Sequence, residues 1–494
     1  MGVTTLSGLL TLLLAAAAAV PAAKSSLQVY GFWRYLYSHA QDFPLDTAGT
    51  TSGLRWTLDN RLDAGLRWTP GDDLELELEL GLFDGQVAGD LDSIGLAFRD
   101  DARTGLRGWD LSRVELRQAR VRWRTPWFVV LAGQQYSHWG FGLLANDGRR
   151  QPGRFGFSEH GDISDRLILA TRPFAFADGW PSQVVLAVGG GLTYRDENCS
   201  LRDGDIGGEV LGSLFYRVPG LEFGTYIAGR IQQDDAGTFV HATAIDLFGS
   251  LDPESGTEGL VLGGEVVLLI GSTDRVVQPE HPGGLDISAL GAVLRAGWQF
   301  GWLQGRALLE FGYASGDGDP YDAVVTSFSF DPDYNVGLVL YDVLLRQLSA
   351  RAAEQVADPE RVGQPPSGTD QLPSSGQVSN TFYFYPTASI KPLRQMTLMA
   401  GLLLAFSSTP FAQAWRTFES GGVATNPYGK SEAGHYLGCE FDLGVDWNQP
   451  LWQQLSVSAG LQVGWFVPGS AFADAAGERP GVVSRFLGRL ALNW

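Results

Sequence analysis

Apolar and polar residues alternate with a period of two along segment after segment of this chain. Between 455 and 465, Leu455, Val457, Ala459, Leu461, Val463 and Trp465 fall on one side, and Ser456, Ser458, Gly460, Gln462 and Gly464 on the other. Between 437 and 447, Leu437, Cys439, Phe441, Leu443, Val445 and Trp447 oppose Glu440, Asp442 and Asp446. At the chain end Phe486, Gly488, Leu490, Leu492 and Trp494 oppose Arg485, Arg489 and Asn493. Such alternation marks β-strands with one apolar and one wet face. Together with the turn signals it predicts about eighteen strands, near 27–38, 54–69, 73–83, 112–125, 127–135, 164–173, 183–195, 207–218, 221–232, 238–250, 259–271, 287–300, 303–315, 378–391, 394–408, 435–448, 452–466 and 482–494. The alternation blurs in 238–250 and 259–271.

The connectors have a rhythm of their own. Tight ones (69–73, 125–126, 219–220, 301–302, 391–394 and 448–451) follow even-numbered strands, and long ones (84–111, 136–163, 272–286, 316–377, 409–434 and 467–481) follow odd-numbered strands. A closed barrel with both termini in the periplasm requires short turns on that side and long loops outside. Trp68, Trp123, Trp127, Trp298, Trp302, Trp447, Trp452 and Trp494 flank the short turns or the terminus. Indoles placed there would form one ring at the periplasmic interface, where the ring is in apolar surroundings and the N–H stays wet. The tryptophans of a soluble β protein's core would not gather at one class of turn. The fold class expected is therefore all-β: a transmembrane antiparallel up-and-down β-barrel of about eighteen strands with a short helix in a long extracellular loop.

Composition agrees. Glycine is abundant at 64 residues, aromatics are 12%, and only three lysines (Lys24, Lys391, Lys430) stand among many arginines. Residues 1–23 read as a signal peptide, with an apolar run from Leu9 to Val20 that is too short to span a bilayer, which leaves 24–494 as a single barrel domain. No later stretch reaches the roughly 18 apolar residues of a membrane helix. A net charge of −20 argues against nucleic acid as a partner. It fits acidic surface loops that meet anionic outer-leaflet lipid and lipopolysaccharide through divalent cations. Cys199 and Cys439 have no metal-ligand spacing, and no disulfide is expected between them.

If the wet faces line a lumen, their charges set what passes. Arg55, Arg61 and Arg67 project inward from the second predicted strand, and Arg117, Arg120, Arg122 and Arg124 from the fourth. Arg295 and Arg306 do so from the twelfth and thirteenth, and Arg485 and Arg489 from the last. Asp59, Asp63, Glu75, Glu77, Glu79, Glu115, Glu310, Glu440, Asp442 and Asp446 face the same space. Because Glu75, Glu77 and Glu79 lie between two arginine-bearing strands, cross-strand pairing would brace the wall. Alternatively, opposed charge patches form a transverse field that filters solutes. In 336–356, Leu338, Tyr341, Leu344, Leu345, Leu348 and Ala352 recur at near-helical spacing, so a helix within the loop 316–377 either gates the lumen or caps the rim.

Asp317, Asp319 and Asp322 are weak candidates for Ca²⁺ ligands, as the run lacks the distal Glu of a full calcium loop. No cofactor is implied. No nucleophile elbow or zinc motif occurs, and the scattered histidines give no catalytic pattern. His138 and His160, near Asp162 and Asp165, are the nearest approach to one, so the chain is not read as an enzyme.

Several stretches resemble the alginate export family of outer-membrane porins: 60–67, 116–121 followed by 132–135, 313–319, and 437–442 leading to 468–472 and the last strand. The resemblance implies an 18-stranded monomeric barrel passing a solute or polysaccharide through an arginine-rich lumen partly closed by loops. Here inward acids roughly match inward arginines, so the first functional reading is a porin-like channel for passive diffusion of hydrophilic solutes or oligosaccharides in the outer membrane of a Gram-negative bacterium. An alginate-like exopolysaccharide export porin is the alternative, and a barrel-borne surface enzyme or adhesin is the reading from another class. The expected partners are outer-membrane lipid, lipopolysaccharide, the transported solute and the outer-membrane assembly machinery, which would read the terminal strand.

Overall fold

The structure is a computed structural model that describes residues 25–90, 114–149, 153–157, 161–254, 256–275, 281–319, 322–357 and 376–494. The expected signal peptide lies outside these residues. The strands are β1 (Ser26–Ala40), β2 (Trp56–Thr69), β3 (Leu74–Gly89), β4 (Glu115–Arg124), β5 (Phe128–Tyr136), β6 (Ile163–Thr171), β7 (Val184–Arg195), β8 (Ile206–Val218), β9 (Leu221–Gln233), β10 (Phe239–Leu251), β11 (Gly259–Thr273), β12 (Leu285–Gln299), β13 (Arg306–Ala314), β14 (Val324–Val325), β15 (Thr381–Leu393), β16 (Met396–Ser407), β17 (Tyr436–Trp452), β18 (Leu455–Pro468) and β19 (Val483–Asn493). Setting aside β14, two residues lying parallel to β12, these are eighteen antiparallel barrel strands among the described residues.

Each barrel strand pairs with its sequence neighbours, and β1 pairs with both β2 and β19. Phe32 stands opposite Asn493 on one side and Asp63 on the other, which seals the cylinder. Closure leaves no unpaired sheet edge, the condition for strands to cross hydrocarbon. The two blurred segments form regular strands, β10 and β11.

The exterior is the apolar face. Phe441, Leu443, Leu461, Trp465 and Leu490 are exposed, whereas Glu440, Asp442 and Gln462 on the opposite faces of the same strands are fully covered. That inversion of the soluble pattern is what lipid outside and packed polar groups inside demand. Trp123, Trp127, Trp298, Trp302, Trp447 and Trp452 are exposed as the ring at the short turns requires; Trp68 departs from it and is buried. Among the described residues no helix is long and apolar enough to cross a membrane. Leu461→Arg, at the midpoint of β18 on the lipid face, is expected to cost about 2–4 kcal/mol of folding free energy. Denaturant unfolding in vesicles measures it.

The interior is not hollow at the long-loop end. A π-helical turn over Leu340–Leu345 runs into the helix α1 (Arg346–Ala357). Its apolar residues Leu338, Leu340, Leu344, Leu345 and Leu348 join one buried cluster with Tyr383, Tyr385, Leu403, Leu437, Phe466 and Leu487 from the inner faces of β15 to β19. All six positions expected on the helix's apolar stripe are buried. The segment lies inside the barrel against the wall, not on its rim.

Candidate channel lumen and vestibule

The inner wall of β2, β3 and β4 carries an unbroken ladder of paired charges. At the short-turn end, Glu77 accepts hydrogen bonds from Arg67 at 2.6 Å, Arg120 at 2.7 Å and the Tyr30 hydroxyl at 2.8 Å. Arg120 also lies 3.5 Å from Glu75. Glu79 takes Tyr30, Gln118 and Tyr136 at 3.0, 2.9 and 2.8 Å. Further along, Arg61 donates twice to Asp63, at 2.9 and 2.7 Å. Arg117 reaches Asp84 at 3.0 Å, with Asp63 and Glu115 each at 3.4 Å, and Arg195 closes on Glu115 at 3.0 Å.

Arg117 and Arg120 have opposite parity, yet both belong to this ladder. The register between β3 and β4 shifts at Glu79/Leu80, leaving one extra residue on β4, and such a bulge re-aims the side chains beyond it. Arg124 lies exposed at the short turn. Arg306 pairs with Asp252 at the same end, at 3.0 and 2.9 Å, and Arg489 meets Asp446 at 3.3 Å.

Other inward charges hold loops in the lumen. Glu440, fully buried on β17, accepts the backbone N–H groups of Leu338, Val339 and Leu340, the latter two at 2.8 Å. Val339, the cap, and Leu340, the first residue of the turn, carry donors that a helix start leaves unsatisfied, and a carboxylate there also complements the helix dipole. Arg485 grips the same segment from β19 through Asp342 and the Leu338 carbonyl, the latter at 2.9 Å. The loop after β5 is held similarly. Arg154 donates to Glu310 at 2.9 and 2.6 Å, Gln462 accepts the Gly156 N–H at 2.9 Å, and Glu265 accepts the N–H groups of Phe141 and Leu143. Asp442 takes the Tyr385 hydroxyl at 2.8 Å.

Between these loops and the β1–β2–β19 wall lies a cavity of about 860 Å³. Arg55, Arg346 and Arg485 line it, as do Asp162, Asp196, Glu197 and Asp333. Arg55, just before β2, has no ion pair among the described residues and is the least committed of the cations that line the cavity. Burial first, and then the neighbouring carboxylates, hold Asp162 and Asp331 well above the usual carboxylate range and push Glu197 up to about 7.

The predicted residues thus fall into three groups. Arg61, Arg67, Arg117, Arg120, Glu75, Glu77 and Glu79 form the braced wall. Glu440 and Arg485 tether the inserted segment, while Arg55 and Asp59 face the vestibule. Arg122 lines the wall's short-turn end with no ion pair among the described residues. Asp317, Asp319 and Asp322 are not gathered as a metal-ligand group among the described residues. Asp317 accepts the N–H groups of Asp319 and Thr326, at 3.2 and 3.3 Å, and Asp322 accepts that of Val324 at 2.8 Å, so they shape their own turns. His138 lies 3.7 Å from Asp147, and His160 is outside the described residues. Both cysteines are free.

Sequence reasoning missed Glu265 and Asp331. Glu265 sits alone in an otherwise apolar inner stretch of β11, and an isolated acid of that kind was the available signal.

No family model and no curated protein matches the chain. Among solved structures, OccAB1 of Acinetobacter baumannii is similar at 9% identity over 95% of this chain and 96% of that one, with a TM-score of 0.51. The outer membrane protein OprD from Pseudomonas aeruginosa is 10% identical over 95% and 94% of the two chains, with a TM-score of 0.47. The likeness to OccAB1 is one of fold, and it covers the whole barrel. Fold and interior define a transmembrane β-barrel whose lumen is narrowed by inserted loops.

Proposed function

We propose that the protein is a porin-like channel in the outer membrane of a Gram-negative bacterium, through which small hydrophilic solutes or short oligosaccharides diffuse passively. The observation that carries this reading is the vestibule: a charged cavity of about 860 Å³ enclosed by a cylinder whose exterior is apolar. Arginines on the barrel wall and carboxylates on the loops opposite produce a transverse field, which aligns dipolar and zwitterionic solutes. The β2–β4 ladder keeps the wall rigid, because nearly every guanidinium there already has a carboxylate partner. The inserted 338–357 segment sets the width, with Glu440 and Arg485 as its tethers. Among the described residues no catalytic constellation supports an enzyme.

Export of an alginate-like polyuronate is the second reading, and it rests on short stretches of sequence resemblance that no family model matches. It is weaker because a polyanion's path should present unpaired cations. Most wall arginines here are neutralised, and the vestibule carries carboxylates.

Planar-bilayer recording with the full chain tests the proposal. A steady ohmic conductance is expected, and its absence overturns the reading. Within it, Arg55→Glu is the sharpest selectivity probe, because neither Arg61 nor Arg485 can change without loosening the scaffold. A unit charge about 10 Å from a passing ion in water contributes about 0.4 kcal/mol, so reversing one charge favours a cation by about 0.8 kcal/mol and disfavours an anion by as much, and should move the cation-to-anion permeability ratio about sixteenfold toward cations. Reversal potentials in a salt gradient read this directly.

A further inference from the structure

At the edge of the vestibule three carboxylates come together from three separate segments, Asp162 and Glu197 lining the cavity and Asp331 buried behind them. Asp162 stands just before β6, Glu197 in the loop after β7, and Asp331 in the long loop after β13. Each offers an oxygen, and the three oxygens lie within 4.8 Å of one another. None pairs with a cationic side chain among the described residues. The nearby Arg230 is committed to Asp196 at 2.6 Å. Their few contacts are local: Asp162 accepts the Asn146 N–H at 3.1 Å, and Glu197 accepts the Asn198 amide at 2.8 Å. Asp331 accepts the Asp333 N–H through Oδ1 at 2.7 Å.

A second observation concerns Asp331 alone. The residue is 3% exposed, and its Oδ2 has no hydrogen-bond partner. A carboxyl oxygen buried without a hydrogen-bond partner is costly, and a native fold keeps one where something absent from the protein's own atoms satisfies it.

We propose that Asp162, Glu197 and Asp331 bind one divalent cation, calcium in preference to magnesium. Calcium takes six to eight oxygen ligands at about 2.3–2.6 Å in flexible geometry, so three oxygens within 4.8 Å of one another can share one ion. Magnesium demands near-ideal octahedral geometry and gives up its waters reluctantly, which suits carboxylates from three separate loops less well. Three ligands leave positions for water, which the adjoining cavity admits. The groups are already held near one another, since Asp333 Oδ2 accepts the Gly161 N–H at 2.6 Å and ties the Asp162 segment to the Asp331 segment. The bound ion clamps three loops across the vestibule and pairs with the three carboxylates it holds. Calcium therefore sets the loop arrangement on the acidic side of the vestibule.

The test is calorimetric titration of CaCl₂ into the full chain refolded in detergent free of lipopolysaccharide, so that lipid-bound calcium contributes nothing. One saturable site per chain is expected, with magnesium at least tenfold weaker. Asp331→Asn and Glu197→Gln should each weaken calcium at least tenfold. Glu197 faces the cavity, so its variant keeps the test decisive if the buried substitution disturbs folding. Absence of a saturable site overturns the proposal, as does calcium binding unchanged in Glu197→Gln. Because the readout is binding, it stands apart from whether the barrel conducts.

Discussion

Glu440→Gln should turn a quiet channel into one that flickers to wider openings. The wild-type carboxylate accepts three backbone N–H groups at the start of the inserted segment, two of them at 2.8 Å. A glutamine oxygen can serve part of that set, and its amide nitrogen turns a donor toward the remaining donors. Hydrogen bonds to a charged acceptor are worth about 1.5–3 kcal/mol each, so the tether should weaken by about 2–4 kcal/mol after local adjustment. That does not eject the segment. Burial of Leu338, Leu340, Leu344, Leu345 and Leu348 against the wall contributes about 1.5–3 kcal/mol per side chain, several times what is lost. The N-terminal turn is instead expected to detach and redock, raising the population of the wider state by about 30- to 900-fold. Single-channel recording should show brief upward steps absent from the wild type. An identical trace in the variant would remove Glu440 from the role of tether. Excision of 338–357 is the limiting case, with a steady conductance several times larger.

The barrel itself was legible because membrane strands have few ways to satisfy lipid outside and charge within. Period two, alternate loop lengths and the tryptophans at short turns are three consequences of one geometry, and all eighteen strands lie where those signals put them. The lumen was less legible. Tyr383, Tyr385, Leu403, Phe466 and Leu487 point inward, where a water-filled pore would call for polar groups. In the sequence they read as noise on the alternation. A barrel strand apolar on both faces, such as Phe382-Tyr383-Phe384-Tyr385, is one with something packed inside it, and that inference was open. Which wall residue meets which loop was not, because a loop's path depends on contacts across hundreds of residues. Glu440 and Arg485 have the inward direction expected of them, yet their partners lie on a segment whose position the strand pattern does not constrain.

The largest loss of stability is expected from Glu310→Gln. Glu310, almost wholly buried on β13, accepts from Arg154 at 2.9 and 2.6 Å, Arg295 at 2.8 Å and the Tyr383 hydroxyl at 2.7 Å, and Arg295 donates also to the Tyr334 hydroxyl at 2.8 Å. Arg154 stacks 4.3 Å from the Tyr334 ring centroid and Arg295 lies 3.7 Å from that of Phe141, so neither guanidinium can swing out to water without dismantling the aromatic packing around it. Neutralising the carboxylate leaves two like charges facing an amide inside the barrel. Breaking a buried ion pair from one side costs about 3–5 kcal/mol, since the surviving charge stays desolvated. Here two charges survive, which puts the expected cost at the upper end of that range. Denaturant unfolding in vesicles, followed by tryptophan fluorescence, should show the midpoint falling while the strand signal of the folded state is kept. The second substitution is the discriminating one. Arg154→Met added to Glu310→Gln removes one orphaned charge and should recover about 1–2 kcal/mol, a coupling that a simple packing defect would not produce. If the double variant is less stable than Glu310→Gln alone, the cost arises from lost contacts and the electrostatic account of this anchor fails.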